Sequence, residues 1–117
     1  MRFMTMVKGP EGVQPPAELF AAIAKLGEDA AAAGVGVDTG GLLPSAVGAA
    51  RIRSSGGKLS FTDGPFTEAK ELIGGYAFFT VESREQAMEW ATRFMELHRD
   101  LWPEWEGETE IRQVMEF

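Results

Sequence analysis

Gly74-Gly75-Tyr76-Ala77-Phe78-Phe79-Thr80-Val81 puts Tyr76, Phe78 and Thr80 on one side of an extended chain and Ala77, Phe79 and Val81 on the other. Successive side chains alternate across a strand, so this run carries apolar groups to both faces of a sheet. A strand of that kind is covered on both faces. Directly after it, Ser83 and Gln86 have the spacing of a capping box, in which the serine oxygen and the glutamine side chain close each other's free amides. Ala87, Trp90, Phe94, Leu97 and Leu101 recur at helical spacing and predict a helix over 84–101. Trp102-Pro103-Glu104-Trp105 stops it, and 108–117 reads as a closing strand with Ile111, Gln113, Met115 and Phe117 on one face.

Toward the N-terminus, Phe3-Met4-Thr5-Met6-Val7 is a second strand, apolar on both faces except at Thr5. Lys8 to Gly12 breaks it. Leu19, Ile23, Leu26 and Ala30 predict an amphipathic helix over 16–33, opened by Pro16 and closed by Gly34. Residues 35–43 form a short, glycine-rich strand. Residues 47–53 and 58–62 alternate around Ser54-Ser55-Gly56-Gly57, a hairpin loop, with Leu59 and Phe61 on one face. Two helices cover only one face of a four- or five-stranded sheet, yet several strands are apolar on both. The other face is therefore expected to bury itself against an identical chain. The reading is one α+β domain over 1–117: a ferredoxin-like antiparallel sheet with both helices on one face, forming a homodimer sheet to sheet.

Charge narrows the function. The net charge of −7 argues against nucleic acid, whose backbone is bound by clustered lysine and arginine, and against an anionic membrane surface. No apolar run approaches the ~20 residues of a membrane span, and the chain enters a strand at once without a leader pattern. With no cysteine, a cytoplasmic protein is the expectation. One histidine and no cysteine make a zinc site improbable, and there is no phosphate-loop or nucleophile-elbow pattern. Neither a metal nor a cofactor is expected. His98, four residues after Phe94, is expected at the surface or at the core boundary. Trp102 and Trp105 are expected to cover the end of the sheet or a partner subunit.

Thr62-Asp63-Gly64-Pro65-Phe66-Thr67-Glu68-Ala69-Lys70-Glu71 is the one stretch whose composition exceeds what folding needs. Its structural reading is a rigid turn: Asp63 caps amides two residues on, Gly64 and Pro65 set the torsions, and Phe66 pins the loop by burial. Its functional reading rests on crowding, since Asp63, Glu68, Lys70 and Glu71 lie close together on that turn. A carboxylate beside a lysine binds a polar ligand or moves a proton. On this reading Asp63 is the acid/base, with Lys70 or Arg51 stabilising an anion. Gly64, Pro65, Phe66, Glu68 and Glu71 supply further ligand contacts. Arg51 and Arg53 share a strand face as either solvated cations or an anion clamp. Tyr76 follows the loop and either packs in the core or joins the site.

Thr62 to Glu71, continued by Leu72-Ile73-Gly74-Gly75-Tyr76, resembles the signature of the YCII-related, DGPF-domain family. Leu42-Leu43-Pro44, Arg51-Ile52-Arg53 with Gly57-Lys58, and Ile111 to Glu116 resemble further elements of that family, so the likeness runs along the chain. Thr67 and Ala69 exchange the small residues of the usual signature, while Glu68, Lys70 and Glu71 match it. The resemblance implies a ferredoxin-like fold and a dimeric α+β barrel. It also implies an enzymatic role by analogy with barrel proteins such as muconolactone isomerase. It further implies association with extracytoplasmic-function sigma factors, as fused domains or neighbours. The expected function is a dimeric small-molecule-binding or enzyme-like domain with its polar site at the DGPF loop, in a pocket between sheet and helices, acting by acid/base chemistry on a small polar compound. The alternative is a non-catalytic regulatory or interaction module tied to a sigma factor.

Overall fold

A computed structural model describes residues 1–67 and 71–117. In chain order the elements are β1 (Arg2–Gly9), α1 (Ala17–Ala32), β2 (Gly36–Gly41), β3 (Ala50–Ser55), β4 (Lys58–Asp63), β5 (Leu72–Thr80), α2 (Arg84–Leu101) and β6 (Glu108–Gln113). The main sheet has the order β2-β5-β1-β6, with every neighbouring pair antiparallel. With α1 and α2 packed side by side on one face, this is a ferredoxin-like α+β fold.

Strand alternation decides which residues meet the helices. Phe3 lies opposite Phe79 and Gln113, and Phe79 lies opposite Val37. Phe3, Phe79, Val35 and Val81 are buried with Ala30 of α1 and with Ala87 and Trp90 of α2. Ala87 is fully buried, so a small side chain there lets α2 approach its neighbours closely. The expected cap is present: Gln86 N–H donates to Ser83 Oγ at 3.1 Å. The reciprocal bond shifts by one residue, because Gln86 Oε1 accepts from the Glu82 amide rather than from Ser83.

The structure changes several expectations. The β3–β4 hairpin is not part of the main sheet but a separate two-stranded ribbon. The chain leaves β2 through Pro44 and a turn closed by Val47 N–H to the Pro44 carbonyl, which takes Val47 out of the strand. The hairpin then reverses on two residues, Gly56 and Gly57, at φ 58° and 77°. Those left-handed torsions are the ones a tight hairpin turn needs, and they leave Ser54 and Ser55 in the strand. At the C-terminus, β6 stops at Gln113, so Met115 and Phe117 lie beyond it and are exposed.

A further correction is His98, which is buried at 7% exposure. The segment after α2 folds back and lays Trp105 on the imidazole at 4.9 Å, with Phe94 on it at 4.6 Å. Nδ1–H donates to the Phe94 carbonyl at 3.0 Å. Trp102, itself buried, stacks on Trp105. Trp105 closes the end of the sheet, since a Cβ at Gly9 or at Gly107 would run into its ring. Among the described residues, no helix is long and apolar enough to cross a membrane.

Candidate functional site

The DGPF turn is held from outside its own sequence. Gly64 N–H donates to the Ala49 carbonyl at 2.8 Å, and Phe66 N–H donates to Ser45 Oγ at 3.0 Å. Ser45 is buried, and both its amide and its hydroxyl donate to the Glu11 carboxylate, at 2.5 and 2.6 Å. One carboxylate thus takes two charge-assisted bonds and fixes the hydroxyl orientation that Phe66 needs. A Cβ on Gly64 would overlap the Ser45 carbonyl oxygen, so only glycine fits. The Gly64–Pro65 peptide is cis. Phe66 is 9% exposed, and the Arg51 guanidinium lies 3.7 Å from its ring centroid, a cation–π contact.

This arrangement corrects the role expected of Asp63 as a turn cap. Two residues on is Pro65, which has no N–H, and the next amide is taken by Ser45. Asp63 itself ends β4 exposed, opposite Ala50. Glu11 and Ser45 escaped the sequence reading because they lie 34 residues apart, with Ser45 a further 21 from Phe66. No local spacing links them.

Tyr76 belongs to a different surface, the sheet face that the helices leave open. Beyond an outer row of Arg2, Thr80 and Gly36, whose Arg2 guanidinium lies 4.9 Å from the Phe78 ring centroid, three cross-strand rows run over it. Arg112, Met4, Phe78 and Asp38 make one, and Glu110, Met6, Tyr76 and Gly40 the next. Glu108, Lys8 and Ile73 make the third. Met4, Met6, Tyr76 and Phe78 are half-buried and form an apolar floor. Tyr76 and Phe78 meet edge to face at 6.1 Å. The Tyr76 hydroxyl reaches over Gly40, where a Cβ would stand 2.7 Å from it.

A charged rim borders this floor. Lys8 Nζ donates to Glu110 Oε1 at 2.5 Å, and Arg112 donates to Glu110 Oε2 at 3.2 Å. The Glu110 bond raises the Lys8 ammonium above its ordinary value, with Glu108 and Glu71 adding to the effect. Bonds from Lys8 and Arg112 hold Glu110 below the usual carboxylate value. Lys8 is therefore a permanent cation and donor near neutral pH, not a base, and Tyr76 adds a hydroxyl that both donates and accepts.

The structure thus brings Arg51 to Phe66, and Glu71 within electrostatic reach of Lys8. Gly64 and Phe66 build the turn, Pro65 lies exposed at its surface, and Arg53 is exposed on β3. Tyr76 sits on the open face. Glu68 and Lys70 lie outside the described residues. Lys8 and Glu110 went unnoticed in the sequence because they pair across 102 residues. Only strand alternation, once register is known, could have found them. Among the described residues, no group of three or more histidine, aspartate or glutamate side chains is placed to hold a metal.

The model of the YCII-related domain matches residues 1–117. No curated protein matches the chain. With its full length matched, and with the DGPF turn built into a ferredoxin-like sheet, the chain belongs to the YCII-related domain family.

Proposed function

We propose that this protein is a dimeric small-molecule-binding domain whose site lies on the open sheet face where the DGPF loop meets it. The observation that carries the reading is the Lys8–Glu110–Arg112 cluster set beside the Met4, Met6, Tyr76 and Phe78 floor. A mostly apolar surface with a few convergent polar groups is the usual make-up of a ligand site. Glu71, at the end of the signature, is a minor electrostatic neighbour of Lys8, after Glu110 and Glu108. The ligand is a small polar or carbonyl compound, with Lys8 and Arg112 attracting an anionic group and Tyr76 bonding a neutral oxygen. If the domain turns its ligand over, the chemistry expected of the loop itself is proton transfer, with Asp63 as acid/base and Lys70 or Arg51 stabilising the anion.

A thermal-shift screen of small carboxylates, phosphates and keto acids tests this. At 100 times its Kd a ligand adds about 2.7 kcal/mol of stability, a readily measured shift. The expected result is at least one stabilising compound whose effect disappears in Tyr76→Phe and Lys8→Met; Asp63→Asn reports separately on the loop carboxylate. No hit, or the same shift in every variant, would sink the reading. The rival regulatory module has the exposed β3–β4 ribbon in its favour. It predicts co-sedimentation with an extracytoplasmic-function sigma factor and no small ligand.

A further inference from the structure

The outer side of β3 can be read atom by atom from the hairpin. Its turn uses Gly56 and Gly57 alone, so Ser55 and Lys58 make the first hydrogen-bonded pair across it. Bonded and non-bonded pairs alternate from there, and the Gly64 N–H bond to the Ala49 carbonyl continues the same phase. Arg51, Arg53 and Ser55 thus direct their backbone groups at β4. The N–H and C=O groups of Ala50, Ile52 and Ser54 point away from it. Among the described residues no strand pairs with that side, and every residue of β3 is exposed. A lone two-stranded ribbon is marginal in water, and a third strand along this edge would add the bonds that the fold leaves unmade.

The side chains of β3 alternate between two chemistries. Ile52 lies opposite Phe61, and the two are 65% and 70% exposed. Arg51 and Arg53 take the other face, opposite Thr62 and Ser60. No carboxylate lies within residues 50–55. Charges on an edge strand hinder its pairing with copies of itself, and the register shows how that works in β3. An antiparallel pair of β3 strands centred on Ile52 sets Arg51 of each against Arg53 of the other, and like charges directly opposite destabilise a sheet. The pattern that repels a second copy attracts a strand with carboxylates at the same alternate positions.

We propose that the outer edge of β3 is a docking site for an extended acidic segment of another protein, which adds as an antiparallel third strand with an acidic, an aliphatic and an acidic residue opposite Arg53, Ile52 and Arg51. The aliphatic residue exchanges both backbone bonds with Ile52. Its acidic neighbours then occupy non-hydrogen-bonded positions, where facing side chains lie closest, and meet the two guanidinium groups. One occupant uses both faces of the ribbon: its carboxylates lie on the arginine face, and its apolar side chains extend the Ile52–Phe61 face. Backbone bonds supply affinity and alternate side chains supply specificity, as in other strand additions. Arg51 also packs on Phe66, with its guanidinium 3.7 Å from the ring centroid, so the docking edge begins beside the DGPF turn. This is a second site, independent of the ligand reading above.

The probe is fluorescein-labelled Val-Glu-Val-Glu-Val, capped at both ends, and fluorescence anisotropy with the full chain reads its binding. Saturable binding is expected, weakened about tenfold or more by Arg53→Glu and by lysine in place of both glutamates. Methylating the amide nitrogen of the central valine removes a bond to Ile52 and is expected to weaken binding by a similar factor. Methylating that of a glutamate, whose N–H points away from the ribbon, is expected to change binding by less than about twofold. No saturable binding, or binding that ignores Arg53→Glu or the peptide's charge, overturns the proposal. So does binding that ignores the position of the methyl group, since charges would then attract without an added strand. Loss of binding in Lys8→Met would place the peptide on the open sheet face and overturn it as well.

Discussion

Two glycines beside aromatic or loop neighbours show how one added methyl group is read differently by its surroundings. At Gly64 the methyl would overlap the backbone carbonyl of Ser45, and a backbone held by Glu11 has nowhere to go. Gly64→Ala is expected to lower stability by about 3 kcal/mol, the upper end for single substitutions, and urea titration would show it. At Gly40 the methyl meets the end of the Tyr76 side chain, which can swing away. Gly40→Ala is expected to cost less than about 1 kcal/mol yet remove ligand-induced stabilisation by displacing the hydroxyl. Equal costs at the two positions would contradict this reading.

The Lys8–Glu110 pair makes a residue-scale prediction with a defined sign. Glu110 is depressed, so its contribution is present above the ordinary carboxylate value and is lost as pH falls through its lowered one. Lys8 is raised, so its contribution is present below the ordinary ammonium value and is lost as pH rises through its raised one. The stability difference between wild type and Glu110→Gln should therefore be constant near neutral pH and vanish in acid. A difference that grows in acid would show that the pair does not form. The turn's rigidity was legible in Asp63-Gly64-Pro65-Phe66, but Ser45 and Glu11 were not, because the bonds that hold the turn come from distant chain.

Among elements, the helices and the central strands were legible because their patterns are dense. Ala87, Trp90 and the Ser83 cap mark α2 through local spacing alone, and Ser83→Ala should cost about 1 kcal/mol, measurable as a lower melting temperature. A loss near zero would mean that the Glu82–Gln86 bond holds the helix start alone. The β3–β4 ribbon shows where pattern reading stops. Alternation identified both strands and put Leu59 and Phe61 on one face, but alternation does not say which strand is a neighbour. That choice was made by Pro44 and the turn that follows it, and the ribbon left the sheet. His98 failed for a related reason: its helix position was right, and the Trp102–Trp105 segment that covers it comes from beyond the helix.

At the scale of the whole molecule, the sheet has one face sealed by helices and one face still partly open. The sealed face holds Phe3, Phe79 and Trp90. The open face holds Met4, Met6, Tyr76 and Phe78, residues suited to burial rather than to water, with a charged rim at one side. That asymmetry was legible in Gly74 to Val81, where neither face of the strand is polar, and it is the ground on which a dimer is proposed. Sedimentation equilibrium of the wild type at low micromolar concentration tests this most directly. The result expected is a species of twice the 12.7 kDa chain mass, dissociated by Met6→Asp on the open face; a single-chain mass for the wild type would contradict it.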